Sequence, residues 1–421
     1  MGDSQPLLGY NSTMYQRQIM PRLLEALSDT PVVLIHGERQ TGKSTLLREL
    51  AAGPHPARCV TLDDATTLAG AAADPAAFIA GFEGPMAIDE VQRAPGLFLA
   101  IKAAVDRNRQ PGRFILTGSA NVLMLPRIAE SLAGRMEILT LYPLSEGEIR
   151  GRTGNFIDPL FHGQPPFVDG SDPGLMERVL TGGFPEALSR AAPRRRRAWF
   201  DSYLTALLER DVRDLSNIEG LVEMPRLLSL LAARLCGLLN LADISRSSGI
   251  PQTTLKRYLA LLETTFLVQM LPAWSNNLGS RVTKSPKMLL NDTGLASHLL
   301  GLQRPQDTVN HPLSGALLEC FVDLELRKQA VWCETQVRLY HFRTDAGQEV
   351  DLVLERADGA IVGIEVKSGA SVTASDFKGL RFLQQQLGAR FQCGVVLSRS
   401  PHATAFGPGL WALPVDALWA R

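Results

Sequence analysis

Apolar residues along the chain follow two periods, and their alternation outlines the architecture. Ile19, Leu23, Leu24 and Leu27 recur at helical spacing within residues 14–27, which predicts a lead-in helix. The run Val32-Val33-Leu34-Ile35 suits a strand buried on both faces, and Thr45 to Leu50 continues as a helix. Short apolar runs at 57–62, 85–88, 113–117 and 136–141 then alternate with helical stretches. Such alternation predicts a parallel sheet with helices on both faces. The pattern stops near Glu146. Residues 150–175, rich in Gly, Pro and Asp, read as a long loop, and 199–215 as a helix. Next come an amphipathic helix over 227–239, a second from Asn240, a turn at 248–251, a third helix over 252–263, and short strands at 266–272 and 287–290. The last hundred or so residues predict a helix over 315–326, a strand at 339–343, and a hairpin of 348–355 with 361–367 turning at Asp358-Gly359. A helix over 376–387 and a strand at 392–397 follow.

Composition narrows the class. The 421 residues are 45% hydrophobic and 20% charged, ordinary for a globular chain, and the length suggests about two to three domains. Formal net charge is zero, so no global field draws the chain to nucleic acid or membrane, and any basic surface is local. The five cysteines show no C-x-x-C spacing, which argues against zinc and disulfide frameworks and for reduced thiols. The first residues lack a signal-peptide pattern, and the longest apolar stretch, 227–242, is broken by Arg234. A cytoplasmic protein without a membrane partner is expected.

The candidate chemistry begins at Gly37-Glu38-Arg39-Gln40-Thr41-Gly42-Lys43-Ser44. This is G-x-x-x-x-G-K-[ST], with a strand before it and a helix after. Gly37 and Gly42 permit a tight turn whose N–H groups face phosphates, and the helix dipole adds attraction. Gln40, Thr41, Gly42, Lys43, Ser44 and Thr45 line such a loop. Lys43 would reach the β- and γ-phosphates of ATP, and the Ser44 hydroxyl would bind Mg²⁺. The strand Met86-Ala87-Ile88-Asp89-Glu90 supplies the partner: Asp89 for the Mg²⁺ shell and Glu90 to polarise the attacking water. Ser119 and Asn121, at the end of the next strand, read either as γ-phosphate sensors or as plain turn and cap residues.

GERQTGKS, MAIDE followed by VQRAP, and ILTGSAN…SLAGR…LYPLS together resemble AAA+ ATPases of a prokaryotic group with its own C-terminal domain. Gln40 departs from a place where a third glycine is common. The resemblance implies that Arg135 is an arginine finger completing a neighbouring subunit's site, hence a homo-oligomer, commonly a ring. The alternative is a surface arginine capping a helix C-terminus. Residues 240–262 resemble a helix-turn-helix, with Thr254, Lys256 and Arg257 on its outer face and the following strands as a wing. That module either contacts DNA or packs within the protein.

Asp351, Glu365 and Lys367 have D-x₁₃-E-x-K spacing. Period-two alternation sets Glu365 and Lys367 on one face, and the hairpin can bring Asp351 beside them. Two carboxylates suit Mg²⁺ or Mn²⁺, and a neighbouring lysine suits attack on a phosphodiester. The pattern resembles the PD-(D/E)XK nuclease superfamily, which implies Glu319 as an additional acidic ligand and an αβββαβ core. Val350 stands where that family expects proline.

The expected fold is therefore α/β: an AAA+ P-loop NTPase parallel sheet (1–145), a helical lid (146–222), a winged-helix-like module (223–305) and a restriction-endonuclease-like domain (306–421). The expected function is a Mg²⁺-dependent ATPase acting on DNA, with a nuclease-like domain controlled by ATP binding or hydrolysis. The alternative is an ATP-driven switch or scaffold whose last domain binds nucleic acid or protein without cleaving.

Overall fold

The computed structural model describes residues 15–119, 132–168, 170, 173–212 and 223–420. Strands β1 (Val32–His36), β2 (Arg58–Thr61), β3 (Met86–Asp89), β4 (Phe114–Gly118) and β5 (Met136–Thr140) form a parallel sheet in the order β2-β3-β4-β1-β5. Inserting β4 between β1 and β3 gathers the C-terminal ends of all three, where open α/β sheets bind ligands. Val32 and Leu34 of β1 pack on α3 (Ala65–Ala73), α4 (Pro75–Ala80) and α5 (Gly96–Arg107). Val33 and Ile35 pack on α1 (Met20–Asp29) and α2 (Lys43–Ala52). A strand covered on both faces has no polar side to show, which is why it reads as an unbroken apolar run. The lead-in helix starts at Met20, with Pro21 in its first turn. Asp74 separates α3 from α4: its carboxylate accepts from Ala77 N–H at 2.9 Å ahead of the helix opened by Pro75.

The middle of the chain is helical: α6 (Pro193–Ala206), α7 (Met224–Ala232), α8 (Leu241–Ser248) and α9 (Gln252–Thr264), then an antiparallel pair, β6 (Val268–Leu271) and β7 (Lys287–Leu290). Arg194 to Arg197 open α6 behind Pro193, and Arg196 donates to the Thr181 hydroxyl at 2.9 Å. On α9, Lys256 and Arg257 are exposed and Thr254 is half-buried.

The last segment comprises α10 (Ser314–Trp332), β8 (Val337–Arg343), β9 (Glu349–Arg356), β10 (Ile361–Lys367), α11 (Lys378–Leu387), β11 (Phe391–Ser398), β12 (Thr404–Gly407) and β13 (Leu410–Pro414). The sheet order is β12-β13-β11-β10-β9-β8, with β10, β11 and β13 parallel and the other pairs antiparallel. The closing β12–β13 pair was not expected from the apolar pattern, because β12 is exposed and carries no buried alternation. Helix α10 runs past residue 326 because polar side chains are buried along it: Lys328 donates to Leu144 O at 3.0 Å and to Glu325 at 2.7 Å. One apolar core extends through this segment and the helical middle, from Phe156 to Trp419. Among the described residues, no helix is long and apolar enough to cross a membrane.

Candidate nucleotide site and carboxylate cluster

The phosphate loop leaves β1 at its C-terminal end. A Cβ on Gly37 would lie 2.2 Å from Leu141 O, so the close approach of β1's exit to the strand beside it demands glycine. Gly42 caps α2 with φ 96°, and Gln40 takes φ 65°, the left-handed shape that a glycine would adopt without strain. Lys43 is buried and folded onto its own loop, donating to Gly37 O at 3.0 Å and Glu38 O at 2.7 Å. Burial lowers its pKa to about 8 against the opposing pull of Glu90, Asp89 and Glu38. Ser44 Oγ donates to Asp89 Oδ1 at 3.1 Å, so the expected hydroxyl and carboxylate converge. Thr45 is exposed on the first turn of α2.

Glu90 holds a left-handed backbone, φ 58°, and its N–H donates to Thr117 Oγ1 at 3.1 Å. Thr117 also donates to Asp89. Gln92 bridges the strand ends, its amide donating to Glu90 and, at 2.9 Å, to Ser119 Oγ. Asn121 lies outside the described residues. Arg135 stands at the other end of the sheet: its carbonyl accepts from Val32 N–H at 3.3 Å, where β1 begins, and its side chain pairs with Asp106 at 2.5 Å. Within one chain it is thus remote from the phosphate loop.

Other side chains at this site carry no mark in the sequence. Arg17 donates to Thr41 O at 2.8 Å and pairs with Glu148 at 3.0 Å. Glu38, fully buried, accepts from Tyr203 Oη at 2.8 Å and from Asn291 Nδ2 at 2.5 Å. Its pKa rises to about 8 through burial, with Asn291 and Tyr203 pulling the other way. Tyr203 comes from α6, and Asn291 follows β7. Both donors arrive from distant parts of the sequence, and neither interrupts a local pattern in a way that marks it.

The second cluster sits on the β9–β10 hairpin. Ile364 faces Leu352 across the pair, and this register carries Asp351 to Glu365. Asp351 Oδ2 accepts from Val366 N–H at 3.0 Å, and Lys367 pairs with Glu365 at 3.1 Å. Glu319 of α10 reaches the hairpin through Lys287, and among the described residues no three of His, Cys, Asp and Glu are grouped so as to hold a metal ion. Lys287, the first residue of β7, is 4% exposed and places Nζ 2.7 Å from Glu319, 3.3 Å from Asp351 and 3.3 Å from Glu349. Burial opposes its charge, but Glu319, Asp351 and Glu349 outweigh that and raise its pKa. Glu365 is pushed up to about 9 by burial and by Asp351, and Glu319 to about 8 by the same two causes. The oxygen donors match Mg²⁺ or Mn²⁺ chemistry. The cation that Glu319 and Asp351 hold in this arrangement is the Lys287 ammonium.

A parallel sheet with a phosphate loop, a buried lysine and a serine meeting a strand-end aspartate define an AAA-type ATPase domain, and residues 29–150 match the family described as AAA domain. Residues 172–306 match a domain of unknown function, DUF8612, and residues 314–418 another, DUF4143. The chain is 34% identical over 365 residues to uncharacterized protein Rv2008c of Mycobacterium tuberculosis, a match covering 86% of this chain and 75% of that protein. The same figures hold for uncharacterized protein Mb2031c of Mycobacterium bovis. The chain belongs to the family of these two proteins. Among solved structures, a RuvB variant of Thermotoga maritima is 17% identical, with 68% of this chain and 95% of that one covered at a TM-score of 0.29. The STAND protein PH0952 of Pyrococcus horikoshii, with a tetratricopeptide repeat sensor, is 13% identical, covering 73% and 45% at a TM-score of 0.20. Superpositions that loose carry no argument about activity.

Proposed function

We propose that this protein is a cytoplasmic, Mg²⁺-dependent AAA+ ATPase acting on DNA, whose restriction-endonuclease-like C-terminal domain cleaves phosphodiesters under control of the nucleotide. The observation that supports the second half is Asp351 set beside Glu365 and Lys367 on one hairpin, with Lys287 linking Asp351 to Glu319 of α10. The element order from α10 to β11 is that of the nuclease superfamily which the spacing resembles. Gly37 and Gln40 to Thr45 would bind ATP, Ser44 and Asp89 would hold Mg²⁺, and Glu90 would polarise the water. Mg²⁺ or Mn²⁺ bound by Glu319, Asp351 and Glu365 would supply charge stabilisation, and Lys367 would steady the attacked phosphate. The module spanning 223–305 is winged-helix-like and presents exposed Lys256 and Arg257 to the DNA backbone. Arg135, remote from its own loop, serves a neighbour's site in a homo-oligomeric ring, and Asn121 senses the γ-phosphate. The working division is 1–145, 146–222, 223–305 and 306–421.

One observation favours a second reading. Lys287 already fills the cation position, which suits a switch or scaffold that binds nucleic acid or protein without cutting it. End-labelled single-stranded, duplex and branched DNA, incubated with Mg²⁺ or Mn²⁺ with and without ATP, separates the two. Cleavage by the natural chain that is lost in Asp351→Ala and Lys367→Ala establishes the nuclease. DNA binding without cleavage under every condition establishes the scaffold.

A further inference from the structure

Strand β7 touches both centres. At its start, Lys287 Nζ lies between Glu319 and Asp351. Just past its end, Asn291 donates to the Glu38 carboxyl of the phosphate loop. Three residues lie between these contacts, a span of roughly 13 Å along the strand. Every residue between them is buried: Met288 and Leu289 at 1% and Leu290 at 0%. Both edges of the strand are held. Leu290 pairs with Val268 and Met288 with Met270 on one side, while Met288 O accepts from Cys236 N–H at 2.9 Å and Met288 N–H donates to Gly237 O at 3.1 Å on the other. The next residue, Asp292, is tied to Gly183 N–H at 2.7 Å. A strand packed and bonded in this way moves as a unit rather than bending between its ends.

The loop end has a reason to move. Lys43 Nζ is bonded to the carbonyls of Gly37 and Glu38. To meet a phosphate it must leave both. The residue it leaves, Glu38, is the one whose side chain Asn291 and Tyr203 grip. A Lys43 turned toward a phosphate would release the Glu38 carbonyl, whose residue also anchors β7.

We propose that β7 couples the two centres: ATP entering the phosphate loop shifts Glu38 and Asn291, and the strand draws Lys287 out of the carboxylate cluster, opening it to a divalent cation. Lys287 Nζ, ion-paired with Glu319, Asp351 and Glu349, stands where a divalent cation would have to bind. The cation half rests on the proposed metal-dependent reading of that cluster; the coupling half rests on β7 alone.

The test uses the full chain and adenylyl imidodiphosphate, a non-hydrolysable ATP analogue. Amine labelling read by mass spectrometry should find Lys287 protected in the free chain and labelled about 5-fold faster or more with the analogue. In Asn291→Leu, the analogue should no longer change that rate. Linkage requires the reciprocal effect, so Lys287→Met should bind the analogue about 5-fold tighter than the natural chain, and Lys287→Arg should not. Lys287 labelling that is indifferent to the analogue in the natural chain, or unchanged analogue affinity in Lys287→Met, would overturn the coupling. Mn²⁺ titration followed by electron paramagnetic resonance addresses the other half. Lys287→Met should take up a Mn²⁺ without nucleotide, and a second substitution, Asp351→Asn, should abolish it. No Mn²⁺ uptake by Lys287→Met, with labelling still responsive, overturns the metal-dependent reading and leaves the coupling standing.

Discussion

Arg17 and Glu148 form a buried ion pair at 3.0 Å that joins the approach to the lead-in helix to the segment after the fifth strand. The same guanidinium donates to Thr41 O and Tyr142 O, both at 2.8 Å, so one side chain braces the phosphate loop against the end of the sheet. Glu148 is further satisfied by the N–H groups of Gln18 and Ser145. Arg17→Met leaves an uncompensated buried carboxylate and two carbonyls without their donor. It should cost about 3–5 kcal/mol in denaturant unfolding. The double variant with Glu148→Met should lose less than the two single losses added together.

Removing Lys43 and changing Glu90 should have different signatures. Lys43→Ala should lose ATP binding in a fluorescent-nucleotide titration. Glu90→Gln should keep binding but release phosphate about 100-fold more slowly or worse, because the group that polarises water is gone while the loop is intact. Full phosphate release by Lys43→Ala would refute the assignment of the loop.

Glu38 makes stability pH-dependent. Its pKa is pushed up from 4.5 to about 8, chiefly by burial. Between those values the unfolded chain gives up the proton and the folded chain keeps it, so stability falls as pH rises through that window. Glu38→Gln stays neutral throughout. Its stability relative to the natural chain should improve from about pH 5 to about pH 8 by on the order of 1–3 kcal/mol, measured by nucleotide-free urea unfolding. A pH-independent difference would show that Glu38 is ionised in the folded state.

Gln40 sits at φ 65°, where a side chain is strained and glycine is not. It is exposed, so little packing is lost on truncation. Gln40→Gly should raise stability by about 0.5–1 kcal/mol, read as a shift in the urea midpoint at unchanged slope.

What the sequence made legible was local. The phosphate loop is contiguous, and its glycines, lysine and serine are set by the turn they make. The β9–β10 hairpin was legible because a period of two and a tight turn fix which carboxylates meet. The contacts that join the centres were not legible, because they span the chain: 253 residues separate Glu38 from Asn291, and 165 separate it from Tyr203. Lys287 opens an apolar strand, where a lysine reads as an edge residue rather than as a buried cation. The β12–β13 pair leaves no mark in the apolar pattern because its outer strand is exposed and lacks alternation.

The apolar core that runs from Phe156 to Trp419 sets the size of the smallest piece of this protein that can be inherited or exchanged intact. Recombination inside that span would pair half-cores that have never been selected together, whereas the sheet of β1 to β5 encloses its own two clusters. Variation in the helical middle and in the C-terminal sheet is therefore expected to be correlated across relatives, and tolerated junctions should fall ahead of Phe156.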